Sequence, residues 1–358
     1  MSFAIPTQQK ALRVPAKQAP MVVDTIDVYK PEAGEILVRI EAVALGPADW
    51  KVHEFGVWVT EFPAVLGMDG AGVVVQTGEG VSNVVPGDRI IYQGNILKSR
   101  TGTFQQYAAI PAATAIKIPQ NLSLDEASTL PVAVGTALNA FYGPYIPEEE
   151  RSGAALTPFW KGQYINQPFV VLSGATSTGQ LAIQFARLSG FSPIIVTASL
   201  KHTELLKSFG ATHVLDRSLP FDQLAAEIKK IAGAPISYLY DGIGEADVQK
   251  LGYELLAPGG TLMDVMFATP ELKQILAADN TSGKKFVFTH GGFDYGNFKE
   301  LGREFVPKLP ELLEKGEIRP NVPEYISGGL SAIPGGLARL KNGQVSGKKL
   351  VVRPQESS

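Results

Sequence analysis

Cysteine is missing from all 358 residues. Disulfides are therefore impossible, and so is every thiolate metal site. Histidine is nearly as scarce, with only His53, His202, His213 and His290. They stand scattered, without ligand-like spacing, which argues against a histidine-rich metal centre. An excess of one charge is absent too: 32 Lys and Arg face 35 Asp and Glu, a net charge of −3. Neither nucleic acid nor an acidic membrane surface is expected as a partner. No apolar run reaches the ~18 residues of a membrane span. The opening MSFAIPTQQKALRVPAK lacks the apolar core of a secretory leader. We expect a soluble, cytoplasmic chain without membrane contact.

What is present suits a large core. Hydrophobic residues make up 45% and charged residues 19%. At ~100–200 residues per domain, the length predicts two domains. Residues 1–128 read as β-rich, with candidate strands Met21–Tyr29, Glu35–Leu45, Val65–Thr77, Arg89–Gln93 and Phe104–Pro111. Pro86-Gly87-Asp88 reads as a tight turn. Residues 123–142 read as helical segments broken at Pro131, with Ser123 and Glu126 at capping-box spacing. Residues 143–168 read as a long polar surface loop, whose acidic run Glu148–Glu150 is of a kind usually just solvated.

From Phe169 to His290 the rhythm alternates. The strands read FVVLSGA, IIVTAS, HVLD, ISYLYDGI, GTLMDVM and KKFVFTH, and helices begin near Gly179, Lys201, Phe221, Glu245 and Pro270. This alternation predicts an α/β fold, a doubly wound parallel sheet of Rossmann type. A helical stretch follows at 297–315. The strand-like tail, IRPNVPEYI to KKLVV, is expected to rejoin the first domain. The predicted division is 1–128 with 310–358, and 129–309.

The sharpest local signal is Gly174-Ala175-Thr176-Ser177-Thr178-Gly179, between an apolar strand and an apolar helix. That is the placement of a dinucleotide fingerprint, G-x-G-x-x-G, with Thr176 at the middle glycine. Backbone N–H groups at a helix start would face a pyrophosphate. Thr176 and Ser177 add hydroxyls, and Thr176 should push the phosphates outward. Such small-residue turns also occur without nucleotide; the surrounding strand–helix units favour a dinucleotide.

NAD-preferring sites carry an acidic residue at the end of the next strand. Here the residues are Ser199-Leu200-Lys201-His202. A carboxylate would repel a 2′-phosphate, whereas Ser199 and Lys201 would attract it. A solvated first-turn lysine is the plainer reading of Lys201, but it does not explain the missing carboxylate. Arg217, after the third strand, could add charge or stack on adenine. Ile243, closing ISYLYDGI, completes the candidate NADPH-binding set.

With these residues the chain resembles the medium-chain dehydrogenase/reductase superfamily. The resemblance runs from Ala11 to Arg353. It rests on Gly34-Glu35-Ile36-Leu37-Val38, Gly46-Pro47-Ala48-Asp49-Trp50-Lys51, FPAVLGMDGAGVV, Gly87-Asp88-Arg89, LPVAVGTALNA, the nucleotide turn and Gly347-Lys348-Lys349-Leu350-Val351. The chain is most similar to the zinc-free quinone and enoyl reductases, and the ADWK block and SGKKLVV tail to fungal polyketide trans-acting enoyl reductases. The resemblance implies a β-rich GroES-like catalytic domain beside the Rossmann domain, with the nicotinamide in the cleft between them.

The superfamily's zinc alcohol dehydrogenases use two cysteines and a histidine as catalytic ligands; those positions fall here at Gly46, Met68 and Val132. The resemblance places Thr136 near the nicotinamide, though its helix also reads as core. It places Lys51 near the reaction centre, although a surface lysine after a buried tryptophan reads equally well. Asp69 matches an acid that supports the site's architecture, and Asp49 would at most orient neighbours. No proton donor is obvious: Tyr142 sits on an apolar helix where tyrosine is more often core, and water could serve.

The implied activity is NADPH-dependent reduction of an activated C=C, in a small-molecule enone or a carrier-bound enoyl thioester. A quinone is the alternative acceptor, and a non-catalytic NADPH-binding structural or sensor protein the alternative from another class. KKFVFTH would be an open sheet edge; family dimers pair this edge, which would give a homodimer, whereas Lys284 and Lys285 could guard it in a monomer.

Overall fold

A computed structural model describes residues 4–147 and 151–357, so Glu148–Glu150 lie outside the described residues. In chain order the elements begin with β1 (Gln8–Val14), β2 (Val22–Asp27), β3 (Glu35–Ala44), α1 (Pro47–Phe55), β4 (Ala64–Val65), β5 (Asp69–Thr77), β6 (Arg89–Gln93), β7 (Tyr107–Pro111) and β8 (Ile116–Lys117). Two helices follow, α2 (Leu124–Ser128) and α3 (Pro131–Tyr142). Alternation then sets in: β9 (Phe169–Leu172), α4 (Ser177–Leu188), β10 (Ile194–Ala198), α5 (Thr203–Phe209), β11 (His213–Asp216), α6 (Phe221–Ala232), β12 (Tyr238–Asp241), α7 (Ala246–Leu255), β13 (Thr261–Asp264), α8 (Pro270–Ala278) and β14 (Lys285–Phe288). The chain ends through α9 (Lys299–Phe305), α10 (Leu309–Glu314), β15 (Val322–Tyr325), α11 (Ile333–Lys341) and β16 (Lys348–Val352).

Two compact units result. The first takes residues 1–132, 305–316 and 320–358; the second takes 133–304 and 317–319. In the first unit β3 is the hub. Its alternating apolar residues bury Ile36, Val38 and Ile40, and it pairs antiparallel with β5, β7 and β16. The seven-stranded sheet runs β15-β16-β3-β5-β6-β8, with β7 also on β3. A small sheet, β2-β1-β4, stands beside this path. The segment read as one strand over Val65–Thr77 is two, because Gly67 turns the backbone to φ +94°. There a Cβ would lie 2.3 Å from Thr103 Oγ1. β4 accordingly pairs with β1 while β5 pairs with β3.

The second unit holds a parallel sheet of order β11-β10-β9-β12-β13-β14. The chain reverses direction across the sheet between β9 and β12, and ligands of such sheets bind outside the strand carboxyl ends at that switch point. Among the described residues of 143–168 no helix or strand is present, but the region is not simply surface: Ser152 and Leu156 are buried. Arg151 bridges to Phe288, and the Ser152 N–H donates to the Phe288 carbonyl at 3.1 Å, so this segment occupies the end of the β14 edge. Lys284 folds onto Tyr253, and Lys285 lies 4.6 Å from the Tyr145 ring centroid.

Candidate functional site

The turn after β9 starts at Ser173, whose φ is +60°. Gly174 is buried, and a Cβ there would lie 2.1 Å from Val196 Cγ1. At Gly179 a Cβ would lie 2.8 Å from the Ser173 carbonyl oxygen. Both glycines thus permit α4 to start tight against the strand. Thr176 is the N-cap of α4 and its hydroxyl accepts the Gly179 N–H at 3.1 Å. The same hydroxyl presses on Gly242, where a Cβ would come within 2.4 Å. The first turn of a helix presents N–H groups that its own carbonyls cannot accept, the donor arrangement a pyrophosphate takes. A glycine-lined turn, a capped helix start and the switch point all fit a dinucleotide.

The ends of β10 and β11 gather the second group. Ala198 pairs with Asp216, and the Arg217 N–H donates to the Ala198 carbonyl at 3.0 Å. Ser199 is half-buried, while Lys201 and Arg217 are exposed. Burial first, then the positive charges of Lys201 and Arg217, hold His202 below the usual imidazole range. The local carboxylate, Asp216, accepts the N–H and hydroxyl of Ser218 at 2.9 and 2.8 Å. Ser218's hydrogen bonds and the Arg217 charge keep Asp216 ionised. One expectation needs correction. Lys201 does not open a helix: residues 200–202 form a 3-10 turn, and α5 begins at Thr203 with only seven residues.

Ile243 follows β12, and its N–H donates to Asp241 Oδ1 at 2.9 Å. Thr136 is 3% exposed on α3. That helix is bound to the loop after β14: a Cβ on Gly135 would strike the Gly291 carbonyl oxygen at 2.0 Å, and Asn139 Nδ2 donates to the carbonyls of His290 and Gly292 at 2.8 and 2.9 Å. His290 is pushed down to about 4 by burial, with Arg151 adding to the shift. It is a neutral ring whose Nδ1 accepts the Gly292 N–H at 2.9 Å. Tyr142 is core. Its hydroxyl meets Ser189 Oγ at 2.5 Å within a cluster of Phe141, Phe159, Trp160 and Phe185, and burial raises its pKa.

Lys51 belongs to the first unit; every other candidate belongs to the second. Lys51 is half-buried on α1, its ammonium 5.7 Å from the Trp50 ring centroid. Below it in sequence lies a group the sequence reading did not assemble. Lys349 Nζ meets Asp69 Oδ2 at 2.5 Å, with side chains 5% and 2% exposed. Asp69 Oδ1 accepts the Val132 N–H at 2.7 Å. Asp49 Oδ2 accepts the Gly46 N–H at 2.8 Å, while Oδ1 is buried without a partner. Burial foremost, with the Asp69 charge against it, raises Asp49 to about 7. The positions aligned with the zinc ligands, Gly46, Met68 and Val132, therefore touch or adjoin these two acids yet supply no nitrogen, thiolate or carboxylate donor. The residues do not fit a catalytic zinc. Among the described residues, no group of three or more His, Asp or Glu is placed to hold a metal ion.

Residues 32–120 match the alcohol dehydrogenase GroES-like domain, and residues 177–297 match the family described as zinc-binding dehydrogenase. The trans-enoyl reductase resD of Aspergillus sclerotiorum is 33% identical, over 89% of this chain and 93% of that protein. The dehydrogenase mokE of Monascus pilosus is 30% identical, over 99% of each. The chain belongs to the medium-chain dehydrogenase/reductase superfamily. Solved structures agree on its fold. A quinone oxidoreductase from Coxiella burnetii superposes with a TM-score of 0.74 at 23% identity, covering 97% of this chain and 99% of that one. An alcohol dehydrogenase superfamily protein from Novosphingobium aromaticivorans gives 0.77 at 22% identity, over 96% and 99%. Membership makes this an oxidoreductase with a nicotinamide cofactor. Among the described residues, no helix is long and apolar enough to cross a membrane.

Proposed function

We propose that the chain is a zinc-independent, NADPH-dependent reductase that delivers hydride to an activated C=C, in an enone or an enoyl thioester. The observation that carries this reading is the trio Gly46, Met68 and Val132 at the ligand positions, which leaves no side chain to hold a Lewis acid on an alcohol oxygen. A conjugated acceptor needs none, because its own carbonyl delocalises the developing charge. The trans-enoyl reductase relatives point the same way.

Bound NADPH supplies the hydride, which goes to the β-carbon. The chain's residues do the rest. Lys51 donates a hydrogen bond to the substrate oxygen or the ribose. The Thr136 hydroxyl orients the nicotinamide, and Gly174–Gly179 with the α4 start receives the pyrophosphate. Ser199, Lys201 and Arg217 receive the 2′-phosphate, and water protonates the α-carbon. NADPH consumption measured against a panel of enones, quinones and enoyl thioesters tests the reading. Turnover of enones or enoyl thioesters supports it. Turnover of quinones alone, or none at all, overturns it.

A further inference from the structure

Asp241 closes β12 and Asp264 closes β13, and the two are register partners on adjacent parallel strands. Both are 0% exposed. Asp241 accepts the N–H of Ile243 at 2.9 Å and of Gly244 at 3.2 Å, one on each oxygen. Asp264 Oδ1 accepts the Met266 N–H at 2.7 Å, and its Oδ2 is buried without a conventional hydrogen-bond donor, beside Asp241 and Gln249. The two loops interlock: Gly244 has φ +79°, and a Cβ there would lie 2.4 Å from Met266 Cβ and 2.8 Å from Asp264 Oδ1. Gly242, next to Asp241, presses on Thr176 of the nucleotide turn.

Two carboxylates side by side in a dry site cannot both ionise. Asp241 already holds two N–H donors, so it carries the charge and Asp264 keeps the proton, donating it to Asp241. Burial and the neighbouring charge push Asp264 well above the carboxylate range. The surrounding groups do not relieve the pair. Gln249 reaches in from α7 uncharged; Tyr240 is buried and neutral; Glu245 adds a further negative charge. No lysine, arginine or histidine is among the groups acting most strongly on either acid.

We infer that Asp241 and Asp264 are positioning residues, whose single shared proton clamps the loops after β12 and β13 in the form that accepts the nicotinamide dinucleotide. The inference rests on the nucleotide reading above. Removing the proton puts a second anion beside Asp241 and pries the loops apart, so affinity falls as pH rises. NADPH and NADH binding by calorimetry between about pH 6 and 10 tests it, with one proton's linkage giving at most roughly tenfold per pH unit. Wild-type affinity should drop for both cofactors as pH rises across this interval. Asp264→Asn keeps a donor toward Asp241 but cannot titrate, so it should bind near wild type at pH 7 and stay flat. Asp264→Leu should bind both cofactors about tenfold more weakly at pH 7, from the lost hydrogen bond to a charged group. Should that variant fail to fold, Asp264→Asn alone still decides. A merely structural role would lower melting temperatures yet leave the fall with rising pH in Asp264→Asn. That result, or a pH-flat wild type that binds nucleotide, overturns the clamp and leaves the nucleotide site standing. A wild type that binds neither cofactor overturns both.

Discussion

The two units treat their cations in opposite ways. In the first, Lys349 is buried, 2.5 Å from Asp69, and also reaches the Thr129 carbonyl at 3.3 Å. In the second, Lys201 and Arg217 stand exposed at the ends of adjacent strands, and neither takes part in an ion pair among the described residues. A buried cation with its anion supplied holds structure: it pins the carboxyl-terminal strand β16 to the start of β5. An exposed cation with no anion supplied costs the fold almost nothing and is open to a ligand that brings one. The same chemistry therefore serves architecture in one place and is left free for a ligand in the other, and burial decides which.

The hardest blow to this contrast is Lys349→Met. It leaves Asp69 dry and without its counter-charge, a change that costs ~3–5 kcal/mol. Urea unfolding of the cofactor-free protein measures it, and Lys201→Ala is the control that should unfold like wild type. A loss under about 1 kcal/mol in Lys349→Met would place that pair among the ordinary surface bridges.

Asp49 sharpens the picture because one ammonium faces two acids. Its pKa is raised from 3.8 to about 7 on folding, chiefly by burial. The folded state therefore holds the proton more tightly than the unfolded one. Stability from this group is full below the unfolded pKa and is lost as pH rises toward 7. Asp49→Asn should flatten that slope and make the protein more stable than wild type at pH 8, by up to ~4 kcal/mol at 1.36 per pKa unit. Melting curves at pH 5 and 8 check this. Equal destabilisation at both would refute a titrating Asp49.

Much of the fold was legible because its signals are local. HVLD became β11, Phe221 opened α6, and Pro270 opened α8, each where the sequence reading put it. The capping box at Ser123 and Glu126 formed, with hydrogen bonds at 2.9 and 3.2 Å. The glycine turn between β9 and α4 was legible for the same reason. What escaped depends on distant partners. β1, QQKALRV, was not among the expected strands, yet it forms, and Gln9 accepts the Tyr107 N–H at 2.6 Å from 98 residues away. Lys349 and Asp69 are 280 residues apart. Asp241 and Asp264 were not singled out from the sequence. The one available hint was their repetition, YLYD and TLMD, at the ends of consecutive strands.

On the exposed side of the comparison, Lys201→Ala should weaken NADPH selectively. A charge-assisted hydrogen bond of ~1.5–3 kcal/mol corresponds to tenfold or more in affinity. NADH, lacking the 2′-phosphate, should bind nearly as before. With no helix start at Lys201 the effect rests on the side chain's charge, so added salt should narrow the gap between the cofactors. Equal dissociation constants for NADPH and NADH in the unmodified protein would remove the recognition role from this end of the sheet.

Thr136 lies between the two extremes, being buried like Lys349 but uncharged, so its replacement should have the smallest effect. Thr136→Val keeps the volume and removes the hydroxyl. If that hydroxyl only packs, the change alters stability and leaves kinetics untouched. If it orients the cofactor, the lost hydrogen bond costs ~0.5–1.5 kcal/mol, roughly a 2- to 13-fold loss in cofactor affinity or turnover. Unlike Lys201→Ala, it should affect NADPH and NADH alike, since the nicotinamide is common to both. Titrating both cofactors against Thr136→Val, beside its urea curve, separates the cases. A variant that loses only stability returns Thr136 to the core of α3.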